Sequence, residues 1–153
     1  MLANDTDGRL EFFGLSAAGA LIIGNAAIGI AAVGVIGLGR LGQRVAEIGR
    51  AFGMKVVTWS QNLDPDVAKK AHVKPVSKEE LFSSSDVVTV HYKLSERSRG
   101  LIGHEELSWM KETAYLVNTS RGPLIDTEAL TSRPASRARL RISSDSIELT
   151  EAA

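Results

Sequence analysis

The sequence predicts an α/β protein built on a doubly wound parallel sheet, and two observations carry that prediction. Short apolar, β-branched runs alternate with segments of helical periodicity along the middle of the chain. Alternation of this kind implies parallel strands joined by right-handed crossovers. The first of these strands also runs straight into a glycine-rich turn, "GLGRLG", which opens a helix.

Taken in order, Val33–Ile36 reads as a buried strand, being short, apolar and β-branched. Arg40–Phe52 reads as an amphipathic helix. Its apolar stripe is Leu41, Val45, Ile48 and Phe52, with Arg40, Arg44, Glu47 and Arg50 elsewhere. Gly53 follows as a natural helix stop. "KVVTW", Lys55–Trp59, is a second strand. Asp64 and Pro65 are an N-cap and first-turn proline, and Ser77 with Glu80 has the spacing of a capping box. Asp86–Tyr92 is a third strong strand, "HEELSWMK" a helix, and Ala114–Ser120 a fourth strong strand. A turn at "RGPLI" then leads to a helix starting at Asp126.

Composition narrows the function classes. The chain has 153 residues, enough for one compact domain with a real core. Lys plus Arg equals Asp plus Glu at 18 each, which argues against a nucleic-acid or anionic-membrane surface. Cys is absent, so no disulfide, thiolate nucleophile or Cys-ligated metal site can form. No metal site is expected. The stretch from Phe12 to Gly39 carries no charge and exceeds the roughly 20 residues a spanning helix needs. Seven glycines dilute it, Asn25 interrupts it, and no basic segment precedes it as in a secretory signal. It is read as an apolar lead-in to a buried strand. A membrane anchor over Leu15–Val33 is the alternative.

The glycine turn carries the chemistry. Gly37 permits a tight turn, Gly39 lets backbone approach a pyrophosphate, and Gly42 lets helix and strand pack closely. The amides of Arg40 and Leu41 then face phosphate at the helix N-terminus, where the dipole favours anions. A strand before the turn and a helix after it are the context that such a dinucleotide fingerprint requires. An acidic residue that binds the adenosine ribose is expected at the end of the second strand, and Ser60 stands there instead. Serine can bond a hydroxyl or a 2′-phosphate, so the cofactor is NAD or NADP. The same turn, with its glycines serving packing alone, would make the chain a strand–turn–helix with no ligand.

Three stretches, "GVIGLGRLGQRVAEIGRAFGMKVVTWS", "DVVTVHYKLSERSRGLIG" and "MKETAYLVNTSRGPLIDTEAL", resemble the NAD-binding domain of the D-isomer-specific 2-hydroxyacid dehydrogenases. The resemblance runs from Val33 to about Leu130. It implies a Rossmann-type sheet, incomplete here, with irregular N- and C-terminal extensions. Three regions follow: an atypical Gly/Ala-rich segment over 1–32, a dinucleotide-binding domain over 33–130 and a disordered tail over 131–153.

Roles also follow from the resemblance. Arg121 matches the active-site arginine, and a guanidinium suits the carboxylate and ketone of a 2-oxo acid. Thr119 and Ser120, with Arg121, match the turn lining the nicotinamide end. Arg40 and Leu41 match the pyrophosphate contacts, Ser60 the ribose position, and His91 opens the cofactor loop. Tyr92 and Lys93 depart from the family's "HxPL", which has a small or apolar residue and then proline there. The family's catalytic histidine and its glutamate partner lie beyond the arginine motif. No His follows Arg121 in these residues, and Glu148 and Glu151 lack the expected surroundings. His72 and His104 are read as structural.

The expected function is therefore the NAD(P)-binding domain of an oxidoreductase acting on D-2-hydroxy acids, of the glyoxylate or hydroxypyruvate type. It is expected to be cytoplasmic and catalytically impaired as this chain. Loss of resemblance at both ends suggests a truncated or mis-spliced product, and puts in question here the homodimer that the family forms. The expected partner is a small 2-oxo or 2-hydroxy acid. The alternative is a non-catalytic dinucleotide-binding or interaction module, membrane-tethered in one version.

Overall fold

The computed structural model describes residues 3–4, 10–11, 31–132 and 139–142. Strands β1 (Ala3–Asn4) and β2 (Leu10–Glu11) pair antiparallel. The main body alternates β3 (Ala32–Ile36), α1 (Arg40–Ala51), β4 (Lys55–Trp59), α2 (Pro65–Lys70), β5 (Lys74–Pro75), α3 (Lys78–Ser84) and β6 (Val87–Val90). There follow α4 (His104–Trp109), β7 (Tyr115–Asn118), α5 (Thr127–Thr131) and β8 (Arg139–Ile142), with short 3-10 turns at Glu96–Ser98 and Gly122–Leu124.

Six strands form one parallel sheet in the order β5-β4-β3-β6-β7-β8. Numbered from β3, that is 3-2-1-4-5-6, the doubly wound dinucleotide-binding order. Residues alternate between two apolar layers. Val33, Val35, Val56, Val87 and Val117 pack with Ala46 of α1 and Ala68 of α2. Ile36, Val57, Val88, Val90 and Leu116 pack with Leu81 and Phe82 of α3, Leu107 of α4 and Ala129 of α5.

Caps explain the helix starts. Asp64 accepts from the Asp66 N–H, Ser77 from the Glu80 N–H, and Asp126 from the N–H groups of Glu128 and Ala129. Gly53, at φ 74°, ends the first crossover helix. His72, just beyond α2, takes the left-handed region at φ 53° without being glycine.

The orientation of α1 differs from what an apolar stripe implies. The residues it buries are Gly42, Ala46 and Gly49, while Leu41 is 68%, Ile48 38% and Phe52 45% exposed. The cause is close approach. A Cβ on Gly49 would lie 3.1 Å from Val56 Cγ2, so only small residues fit between helix and sheet. The larger side chains are displaced to the flank. Ala46→Leu is therefore expected to destabilise by about 1–3 kcal/mol through overpacking, whereas Phe52→Ser should stay within about 0.5 kcal/mol. Chemical denaturation of the two variants distinguishes this orientation from the reverse.

Within the stretch read as a tail, four described residues form a strand. Arg139–Ile142 continues the sheet, pairing parallel with β7 from Tyr115↔Arg139 to Asn118↔Ile142. An open strand edge presents unpaired backbone donors and acceptors, which a following extended segment can satisfy. Among the described residues no helix is long and apolar enough to cross a membrane. The candidate anchor Leu15–Val33 lies outside the described residues up to position 30, as do Glu148 and Glu151.

Candidate functional site

The chain runs from β3 to β4 and β5 on one side, then returns to β6 on the other. The strand order thus reverses between β3 and β6, and ligands of open α/β sheets bind outside the carboxyl ends of the strands at such a point. Three loops meet there.

The first is the glycine turn. Gly37 leaves β3 at φ 89° and donates its N–H to the Trp59 carbonyl at 2.9 Å. A Cβ on Gly37 would sit 2.6 Å from the His91 carbonyl oxygen, and one on Gly42 would sit 2.0 Å from the Gly37 carbonyl oxygen. Both positions are closed by backbone. Gly39 is different, because a Cβ there would meet nothing within 4 Å. Gly39 is also the N-cap of α1, with no side-chain cap and no acidic residue in the first turn. The first amides of a helix lack intrahelical partners. Here no side chain caps them, unlike those of α2, α3 and α5. This arrangement fits a pyrophosphate: nothing protrudes where it must approach, and the donors it needs are unspent.

The second loop follows β6. His91 donates its N–H to the Ile36 carbonyl at 2.8 Å, and its Nε2 lies 3.0 Å from Thr89 Oγ1. Burial pushes the His91 imidazole below its usual pKa, so it is neutral near pH 7. Tyr92 stacks on Trp59 with ring centroids 6.3 Å apart. Ser98 Oγ donates to the Lys93 carbonyl at 2.9 Å.

The third loop follows β7. Asn118 is fully buried, and its amide braces the turn. Nδ2 donates to the Arg121 carbonyl at 2.8 Å, and Oδ1 accepts the Ser120 N–H at 3.0 Å. Ser120 Oγ donates to the Val90 carbonyl at 2.9 Å, tying this turn to the end of β6. Arg121 is exposed, and its Nη1 donates to the Ser120 carbonyl at 2.8 Å.

Together these loops wall a cleft of about 530 Å³ lined by Gly39, Arg40, Leu41, His91, Tyr92, Lys93, Leu94, Thr119, Ser120 and Arg121. Cofactor-sized sites commonly fall at about 300–1,000 Å³. The sequence candidates Gly39, Arg40, Leu41, His91, Thr119, Ser120 and Arg121 are thus brought together. Gly37 and Gly42 lie beneath the turn as its packing core. Ser60, just past β4, does not line this cleft. Two features went unread in the sequence. Asn118 is the brace of its loop, and an Asn ending an apolar strand is the available signal, since its side chain readily bonds backbone two residues on. Tyr92 to Leu94 line the cleft, and only the loop path reveals that. Among the described residues no cluster of His, Cys, Asp or Glu could hold a metal.

Three groups tie stability to pH. Burial pushes the Asp86 carboxyl up, but the Ala32 N–H and Lys111 Nζ, each at 2.8 Å, outweigh it and hold Asp86 below its ordinary value. Burial likewise raises Glu106, but its bonds from Lys78 and from the Gly103 N–H leave it net lowered. His91 is lowered too. For each, the unfolded chain takes up protons at higher pH than the folded one, so acid favours unfolding. Stability should fall from about pH 6.5 as unfolded His91 charges, and again below about pH 4.5 as unfolded carboxyls protonate. Urea midpoints measured from pH 8 to pH 3 check this; a midpoint that rises on acidification would contradict it.

The profile of the D-isomer specific 2-hydroxyacid dehydrogenase NAD-binding domain matches residues 20–148. The chain belongs to this family. A glyoxylate reductase from Aeropyrum pernix is 45% identical over 91 residues, covering 60% of this chain and 27% of that protein. A D-3-phosphoglycerate dehydrogenase from Bacillus subtilis is 39% identical, covering 60% of this chain and 17% of that one. The solved D-isomer specific 2-hydroxyacid dehydrogenase from Lactobacillus delbrueckii ssp. bulgaricus, in its NAD-complexed form, has TM-score 0.65 and 31% identity, covering 73% of this chain and 36% of that chain. The chain spans between about a sixth and a quarter of the length of the curated relatives it matches. In this dehydrogenase-family domain the glycine turn, the β6 loop and the β7 loop are the parts of the NAD-binding fold that face one cleft.

Proposed function

We propose that this chain holds NAD in the cleft at the carboxyl edge of its sheet, as the cofactor domain of an oxidoreductase acting on the CH–OH group of D-2-hydroxy acids. The observation that carries this is the convergence of three separate loops, after β3, β6 and β7, on one cleft next to an uncapped helix N-terminus. The Arg40 and Leu41 amides would hold the pyrophosphate, with Gly39 giving it room. His91, Thr119 and Ser120 would line the remainder of the dinucleotide. Arg121 would bind the substrate carboxylate and polarise its C2 oxygen. When bound, the nicotinamide supplies the hydride acceptor or donor. Ser60 sets no charge against a 2′-phosphate, so NADPH belongs in the proposal beside NADH.

A proton must also move at the C2 oxygen. His91 is tied to Thr89 through its ring and to Ile36 through its backbone N–H. With His91 held in this way, the described residues are expected to turn over glyoxylate or hydroxypyruvate slowly or not at all. The chain would work in the cytoplasm on a small-molecule 2-oxo acid partner, with neither nucleic acid nor membrane. A homodimer, as in the family, is left for a mass measurement in solution.

A thermal melt with NADH and with NADPH tests the binding. Ligand at a hundred times its Kd should stabilise by about 2.7 kcal/mol and raise the midpoint by several degrees. A cooperative melt that neither nucleotide moves would contradict the proposal. A midpoint rise without turnover would favour the non-catalytic module.

A further inference from the structure

Three cations, Arg40, Lys93 and Arg121, line the cleft, and no carboxylate does. None of the three makes an ion pair among the described residues. His91 adds no charge near neutral pH, because burial lowers its pKa. The chain as a whole is formally neutral, so this wall is a local concentration of positive charge.

Two of the cations have anions in the function proposed above, on which this inference rests. Arg40 and the α1 amides meet the pyrophosphate, and Arg121 meets the substrate carboxylate. Lys93 is left over. It is also not a loosely hung surface lysine. The residue before it, Tyr92, stacks on Trp59, and the residue after it, Leu94, packs on the core. Its own carbonyl accepts from Ser98 Oγ at 2.9 Å. The backbone is therefore held on both sides while the side chain stands exposed on the cleft wall.

We infer that Lys93 is a specificity-determining residue that binds a phosphomonoester carried by the ligand in addition to the pyrophosphate. Lysine serves phosphate as a compact point charge. Two sources share this chemistry: the 2′-phosphate of NADPH, and a phosphate on the hydroxy-acid substrate.

The test is calorimetric titration of the full chain and of Lys93→Gln and Lys93→Arg. One arm compares NADPH with NADH. The other compares 3-phosphoglycerate with glycerate on chain saturated with NADH. In one arm the phosphorylated ligand should bind about fivefold tighter. That ratio should collapse to near one in Lys93→Gln, survive in Lys93→Arg, and shrink as salt is raised. The arm that responds names the source. No preference in either arm, or a preference unchanged in Lys93→Gln, overturns the inference. Chain that binds neither NADH nor NADPH overturns the underlying function instead.

Discussion

Gly42→Val is expected to cost the domain about 3 kcal/mol or more, at or beyond the upper end of overpacking penalties. Its Cβ would fall 2.0 Å from the Gly37 carbonyl oxygen and 3.3 Å from Val35 Cγ1. The nearer obstacle is backbone, held by the Gly37 N–H bond to Trp59 and by the left-handed φ of Gly37. No rotamer change relieves it, so the turn itself must move away from β3. Against a total stability of about 5–15 kcal/mol for a domain, a loss of this size takes a large share of the folded protein. Gly39→Ala is the contrasting variant. Its Cβ meets nothing, so its stability cost is the difference between Gly and Ala at an N-cap, below about 1 kcal/mol. Urea denaturation of both variants should separate them clearly. Equal stabilities would refute the packing assigned to Gly42.

Asn118→Leu is the second large effect. The side chain is fully buried and both ends of its amide are used, one by the Arg121 carbonyl and one by the Ser120 N–H. Leucine leaves both backbone groups without that partner. A buried unpaired polar group costs about 1–3 kcal/mol, so the pair should cost roughly 2–6 kcal/mol if the turn keeps its shape. If the turn opens instead, part of that cost is relieved and Thr119, Ser120 and Arg121 leave their places on the cleft wall. Cofactor affinity then falls where stability does not. Asn118→Asp retains the acceptor but sets a buried carboxylate oxygen against the Arg121 carbonyl, so near neutral pH it should be at least as destabilising as Asn118→Leu. An Asn118→Leu chain with unchanged melting and unchanged NADH affinity would remove Asn118 as the brace.

The fold was legible where burial and side-chain type agree. Val33–Ile36, Val87–Val90 and Leu116–Asn118 are buried among helices on both faces, and their β-branched and apolar runs announce it. The face of α1 was not legible by the same logic. Its apolar stripe points to Leu41, Ile48 and Phe52, yet the helix packs through Gly42, Ala46 and Gly49. Close packing selects small residues over apolar ones, and a pattern of hydrophobicity does not register smallness. Strand β8 escaped for another reason. "RLRI" alternates as a strand should, but its four residues sit in a serine- and arginine-rich stretch, and only the open edge of β7 gives them a partner.

The candidate site divides in the same way. Motifs immediately after a strand end, the glycine turn and Thr119–Arg121, could be placed from sequence because strand direction dictates where they emerge. The stack of Tyr92 on Trp59 and the exposure of Lys93 on the cleft depend on the path of a loop. Sequence period says nothing about such a path.

In the proposed cofactor site Gly39 is kept open for a dinucleotide, while Gly37 and Gly42 are kept small for the turn. Calorimetric titration of NADH into the wild-type chain and into Gly39→Val tests this. Saturable one-site binding to the wild type is expected, with an affinity at least about tenfold weaker in a Gly39→Val protein that still melts cooperatively. Equal NADH affinity in the two proteins would contradict it, as would a folded wild-type chain that takes up no NADH.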